Sequence, residues 1–354
     1  MKSQEIAVLA GLSLLIGSAA IAAPRQATHS AVVVMPSSPV SNIYGASPTP
    51  PPTSNAAIKT FVDLRSTADP VRCDANFVYY VLDPPNSLYT EARSINSSGE
   101  IVGYYHPLFS SQIEGFLLQN NNYTPIVIAG VTNIFPMRIG DDGTIVGTAT
   151  DADGRFHGVV IRGSQYEEVD DPGLPNTVIT GINDKDEYVG YGFDTPGTVT
   201  SFSGKVNVAG LTPLNVAATI WDVNDKNDLV GNQVRGEAKA ADATPVDNNT
   251  SEHDSALVIA DQVAKQINVA GTTKAYGINN NDDIVGIYSD PHGFVVHNGA
   301  IINFDVPGSE GTIGTQAYGV NDADWIVGVF EEQGSDSRPD VVHGFLAVPK
   351  ADGE

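Results

Sequence analysis

The chain has 354 residues, with 42 acidic against 18 basic ones and a formal charge of −24. A surface of that sign repels a phosphate backbone and an anionic membrane, so nucleic-acid binding is excluded as a working expectation. A single cysteine, Cys73, excludes an internal disulfide framework, so stability has to come from a core.

The chain opens with one Lys, an apolar run from Ile6 to Ile16 and the small-x-small triplet Ala20-Ile21-Ala22 just before Pro24. This is the layout of a secretory signal over residues 1–22, cleaved after Ala22. The run is too short to span a bilayer, and no other stretch reaches the roughly 18 apolar residues of a membrane helix. The mature protein is therefore expected to be exported, either secreted or held in the periplasm or at the cell surface, with no membrane span. Residues 23–74 hold eight of the 22 prolines, including SPTPPPTS, and few aromatics, which predicts a largely disordered linker.

Residues 75–349 carry a repeat, and 350–354 form a tail. Six segments align without a gap: INSSGEIVG (95–103), IGDDGTIVG (139–147), INDKDEYVG (182–190), VNDKNDLVG (223–231), INNNDDIVG (278–286) and VNDADWIVG (320–328). Their final glycines are 44, 43, 41, 55 and 42 residues apart, a period near 43 with one insertion. The fifth column holds only Gly99, Gly143, Asp186, Asn227, Asp282 and Asp324, the residue types that tolerate a left-handed backbone. A short hairpin loop built on a type I turn needs one such residue, so the NDKD portion reads as a tight turn between antiparallel strands. Val102, Val146, Val189, Val230, Val285 and Val327 each follow an apolar neighbour, which predicts a strand buried on both faces. The glycine after each Val predicts close approach of another backbone.

Each unit adds a third apolar stretch, such as EGFLLQ, HGVVIR or HGFVVH, and most add a fourth, such as KQINVAG or IINFDVPG. Four short strands per 43 residues is the pattern of a propeller blade. The sixth unit ends at HGFLAVPKADGE without a fourth strand, while FVYYVLDPPNS (77–87) stands alone before the first unit and looks like INFDVPGSEG (302–311). The expected fold is all-β: a six-bladed β-propeller of four-stranded antiparallel blades, its ring closed by that N-terminal strand completing the last blade. A monomer is expected.

The phrases GIND…YVGYG, GVND…IVGVF, HGFVV and HGFLAV resemble the extracellular HAF-repeat family over about residues 77–348. This chain has Gly in place of the Ala of that family's His-Ala-Phe triplet and lacks the His in three units. The resemblance implies export and a propeller-like repeat fold. It carries no established activity, so it transfers no catalytic residue, and the catalytic set stays unknown.

The turns are short and uniform, so their face of the disk reads as structural. The opposite face gathers the variable loops, including YYHPLFSSQ, TATDADGRF, YGFDTPGTV and residues 232–253, and any ligand is expected there. Three residues before the Asn column stand Arg93, Met137, Thr180, Trp221, Tyr276 and Tyr318; rings, an Arg and nearby carboxylates suit a polar ligand such as a sugar, or simply fill the axis. The candidate ligand-binding residues are Arg93, Trp221, Tyr276, Tyr318, Tyr105, His106, Asp153, Asp194 and Asp290. Calcium is weighed at the acidic turns and at DADG (151–154), but NSSG has no carboxylate, and turn chemistry explains the acids better. His157, His292 and His343 occupy equivalent strand starts and are expected to bond a neighbouring strand, with no metal site assigned. A binding or scaffold module for an extracellular ligand, carbohydrate or protein, is the first functional expectation. A secreted hydrolase or lyase using Asp151, Asp153, Asp194, Asp290, Glu331 and Glu332 is the second, and a structural surface protein the third.

Overall fold

The computed structural model describes residues 72–108, 110–194, 198–233, 255–269, 271–289, 292–334 and 340–350. The signal segment, most of the linker, residues 234–253 of the long loop, residues 351–354 and Asp290 lie outside the described residues. Every described regular element is a β-strand.

Four units fold as separate four-stranded antiparallel sheets. They comprise β7–β10 (Asn133–Ile139, Ile145–Thr150, Phe156–Arg162, Gln165–Val169), β11–β14 (Asn176–Ile182, Glu187–Phe193, Val199–Lys205, Val208–Pro213), β15–β18 (Thr219–Val223, Leu229–Gln233, Ser255–Ala260, Val263–Ile267) and β19–β22 (Thr273–Ile278, Ile284–Tyr288, His292–His297, Ala300–Phe304). The expectation of six separate sheets is not met, because the remaining nine strands are joined in one sheet. Its first part is β3–β6 (Ser87–Ile95, Ile101–Pro107, Glu114–Gln119, Asn122–Ile126), and its second is β23–β25 (Thr315–Val320, Ile326–Glu332, Val341–Pro349) with β1 (Arg72–Cys73) and β2 (Phe77–Leu82). The two parts meet at a single parallel bridge, Val342 opposite Tyr89, because the nine-residue β25 runs far enough to reach β3.

β25 has β24 on one side and β2 on the other, the latter from Phe77 opposite Pro349 to Leu82 opposite Gly344. β1 adds an outer strand on β2, so the last residues of the expected linker belong to the sheet, and Cys73 lies exposed there.

The aligned columns explain this architecture. The fifth-column residues all take positive φ, from 62° at Asp324 to 81° at Gly143, which turns the chain between the first two strands of each unit. The Val column is 0–2% exposed throughout. Each Val packs against the next unit's first strand: Val102 with Ile134 and Ile139, Val146 with Ile179 and Ile182, Val189 with Ile220, Val230 with Ile278, Val285 with Ala317 and Val327 with Ala92 and Ile95. Burial of one such side chain is worth about 1.5–3 kcal/mol, so this column alone glues neighbouring sheets face to face.

The glycine column has a cause that the sequence pattern hides. In every unit the first strand bulges opposite it: Gly103 faces Ala92 while Val102 faces Ser94, leaving Arg93 as the extra residue, and the same shift recurs in the other five. The bulged backbone swings a carbonyl onto the glycine, so an added Cβ would lie 2.0 Å from the Glu91 oxygen at Gly103 and 1.9 Å from the Lys274 oxygen at Gly286. Only glycine fits opposite such a bulge.

Candidate functional site

The extra residue of each bulge is the variable column: Arg93, Met137, Thr180, Trp221, Tyr276 and Tyr318. A bulged residue leaves the ladder, and its side chain is re-aimed. Four of the candidate ligand residues are brought together this way. Trp221 meets Tyr276 edge to face at 5.2 Å, Tyr276 meets Tyr318 at 5.3 Å, and the Arg93 guanidinium lies 3.9 Å from the Tyr318 ring centre. Tyr191 extends the series to Trp221 at 6.0 Å. Each ring turns an edge to its neighbour's face, a packing arrangement in which Arg93 covers Tyr318.

Beside this series sits Glu91, 1% exposed, which accepts from the Tyr104 hydroxyl at 2.5 Å, from the Tyr89 hydroxyl and from Arg93 Nη1 at 3.1 Å. Burial, then the Glu91 carboxylate, pushes the Tyr89 and Tyr104 phenols well above their usual range, so both remain proton donors to it.

Arg138 went unnoticed among the candidates, yet it reaches four other units. Its Nη1 donates to the carbonyls of Arg93 and Tyr318, both at 3.0 Å, and its Nη2 to the Tyr276 carbonyl at 2.5 Å. The bulges expose these three carbonyls. Asp222, 4% exposed, pairs with Nη2 at 2.8 Å and accepts from the Ile278 amide; burial raises its pKa. The column they share reads Ser94, Arg138, Gly181, Asp222, Gly277 and Gly319. An added Cβ at Gly277 or Gly319 would come within 3.0 or 3.1 Å of the guanidinium, so the small residues make room for the one ion pair.

On the turn face the Asn column links successive turns. Asn183 Nδ2 donates to the Asn224 carbonyl, Asn224 to Asn279, Asn279 to Asn321 and Asn321 to Asn96, at 3.0–3.2 Å, and Asn96 donates to Gly140. Outside it, the amides of Ser97, Asp141, Asp184, Asp225 and Asn280 each donate to the next turn's Asp or Asn side chain at 2.8–2.9 Å. These side chains surround a cavity of about 70 Å³ whose floor includes Arg138 and Asp222. Burial, then Asp141, Asp225 and Asp322, hold Asp184 up at about 6.

On the loop face each strand-start histidine is committed to its own outer-strand aspartate. His157 Nδ1 lies 2.9 Å from Asp170, His292 Nδ1 2.9 Å from Asp305, and His343 Nδ1 2.6 Å from Asp83, the residue that follows β2. Asp170, Glu168 and Asp151 together raise His157 to about 10. The other candidates are spread out. Tyr105 donates to Glu114 at 2.7 Å, His106 is half-buried at the end of β4, Asp153 is exposed, and Asp194 accepts from the Thr198 amide at 2.8 Å. Asp151 Oδ1 accepts from the Asp153 and Arg155 amides at 2.9 Å, Glu331 from the Ile313 amide at 2.8 Å, and Glu332 pairs with Arg72.

Four-stranded antiparallel blades, packed face to face with their bulged first strands gathered about Arg138, define the chain as a β-propeller. No family model matches the sequence, and no curated protein matches it. Among solved structures it is similar to the β-propeller domain of the Trilobed protease from Pyrococcus furiosus, at 13% identity over 81% of this chain and 95% of that one, TM-score 0.47. It is also similar to a gluconolactonase from Xanthomonas campestris (10% identity, 80% of this chain, 96% of that one, TM-score 0.42) and an acylaminoacyl peptidase from Pyrococcus horikoshii (12% identity, 76% of this chain, 47% of that one, TM-score 0.42).

Proposed function

We propose that this chain is an exported, closed six-bladed β-propeller that works as a binding module, presenting its variable-loop face to an extended extracellular ligand, a protein or a polysaccharide. The proposed ring is supported by β2 lying on β25 as a fourth strand would, by Val327 packing on Ala92 and Ile95, and by the Asn321 amide bonded to the Asn96 carbonyl. Asp83, just after β2, does for His343 what Asp305, just after β22, does for His292, which fits β2 as an outer strand of the last blade.

The observation that carries binding over catalysis is the engagement of the loop-face carboxylates. Among the described residues Asp151, Asp194 and Glu331 each cap backbone amides, and Glu332 pairs with Arg72, so each is held by a contact of its own, which supports binding over acid–base chemistry. The turn-face cavity, at about 70 Å³, is far below the roughly 300–1,000 Å³ of a small-molecule site. The edge-to-face packing of Trp221, Tyr276 and Tyr318 supports an axial filling role for these rings. The full chain is therefore expected to bind members of a glycan or extracellular-protein array while leaving chromogenic ester, lactone and glycoside substrates intact. Turnover abolished by Asp194→Asn or Glu331→Gln would replace this reading with the hydrolase.

A further inference from the structure

The three equivalent histidines of the loop face differ in what surrounds them. At His292 the Nδ1 partner is Asp305, and at His343 it is Asp83. At His157 two carboxylates converge on Nδ1, Asp170 Oδ1 at 2.9 Å and Glu168 Oε1 at 3.2 Å, while Asp151 Oδ2 lies 3.3 Å from Nε2 on the far side of the ring. The positions matching Glu168 in the other two His units are Asn303 and Val81, so the second carboxylate belongs to this unit alone among them.

We propose that His157 Nδ1, Glu168 and Asp170 form a binding site for a divalent transition-metal ion such as zinc, with Asp151 holding the imidazole in place. The donor set is one nitrogen and two carboxylate oxygens, the ligand types zinc takes, and the three donor atoms lie within 4.8 Å of one another. Metal–ligand bonds of about 2.0–2.1 Å at tetrahedral angles separate neighbouring ligands by about 3.3 Å. The two separations at Nδ1, 2.9 and 3.2 Å, need to open by only a few tenths of an ångström to reach it.

The support behind the ring is also in place. A histidine that binds a metal through one nitrogen commonly donates its other N–H to a carboxylate, which fixes the tautomer and points the free lone pair at the ion. Asp151 stands at Nε2 and cannot swing away, because its Oδ1 is anchored by the amides of Asp153 and Arg155 at 2.9 Å. His157 is mostly buried, with its side chain 13% exposed, whereas Glu168 and Asp170 are 39% and 42% exposed. The ion can thus enter from solvent, and water can complete its shell. Binding exchanges the Nδ1 proton for the ion and releases that proton to solvent. The site lies on the loop face but does not depend on which ligand that face takes.

The test is calorimetric titration of chelator-treated full chain with Zn²⁺ alone, in two buffers of different ionisation enthalpy, with Co²⁺ absorption as a spectroscopic check. One ion per chain is expected, with proton release, and His157→Ala should abolish it. Glu168→Gln and Asp170→Asn should each weaken it at least tenfold. Asp151→Asn keeps an oxygen for the two amides and should weaken it about 10- to 100-fold. His292→Ala should leave binding unchanged, and thermal melts of Glu168→Gln and Asp151→Asn, which remove no backbone contact, control for folding. Unchanged zinc affinity in His157→Ala, equal loss in His292→Ala, or no uptake by the wild type would each overturn the proposal.

Discussion

Arg138→Met is expected to be the most damaging single change at the axis. Arg138 is 6% exposed, and its loss strands the carboxylate of Asp222, a residue 4% exposed, while the carbonyls of Arg93, Tyr276 and Tyr318 lose their donor. Removing one partner of a buried ion pair costs about 3–5 kcal/mol, and a lost hydrogen bond about 0.5–1.5 kcal/mol, part of which water entering from the turn-face cavity restores. A net loss of about 4 kcal/mol is expected, a large share of the roughly 5–15 kcal/mol that holds a typical domain folded. Urea unfolding of full chain gives the cost at constant m, and Asp222→Asn in the same background should return about half of it. The amide oxygen still accepts from Ile278, while the stranded charge is gone. The acid dependence has a definite sign. Burial already raises the Asp222 pKa, and without Arg138 it rises further, so the folded variant takes up a proton before the unfolded chain does. Its deficit against wild type should therefore narrow as pH falls from neutral towards the ordinary carboxylate range. A cost below about 1 kcal/mol, or no recovery in the double variant, would refute the view that Arg138 ties the units together.

Asp184→Asn should stabilise the protein at neutral pH by up to about 1 kcal/mol, a value discounted for solvent exposure. The folded-state pKa of about 6 is raised above the ordinary value, so the wild type loses stability as pH rises through that range, and the gain should vanish near pH 4. Gly286→Ala places a Cβ 1.9 Å from the Lys274 oxygen and should cost at least about 3 kcal/mol or abolish soluble expression. Asp186→Ala, at φ 64°, should cost about 1–2 kcal/mol, and Asp186→Gly less than half as much, by thermal unfolding.

Much of the architecture was legible because identical units repeat the same physical demand. The left-handed turn residues, the buried Val column and the pairing of 77–82 with the last strand are all readable from one aligned phrase and one orphan segment. The bulge was not. A period-two pattern with one extra residue looks like ordinary drift, so the column of Arg93, Trp221, Tyr276 and Tyr318 reads equally as ligand platforms or as axial filling, and the bulge that brings these side chains against one another is not visible in it. The sheet's outer strand at Arg72–Cys73 was missed because two residues carry no periodicity.

The departures from the repeat are more informative than they look singly, because they occur in matched sets. Arg138 and Asp222 are the two charged residues in a column otherwise made of Gly and Ser, and they are each other's partner. The units with His157 and His292 carry Asp170 and Asp305 thirteen residues on, and His343 finds Asp83 just after β2. In the units where Glu114, Thr200 and Ser255 replace the histidine, the strand register puts Val127, Asn215 and Asn268 at the matching place. A lone substitution in a repeat can be drift, but a substitution matched by its contact partner marks an interaction that the fold uses. The same reasoning singles out the unit of His157, where Glu168 adds a second carboxylate at Nδ1 that the His292 and His343 units do not have.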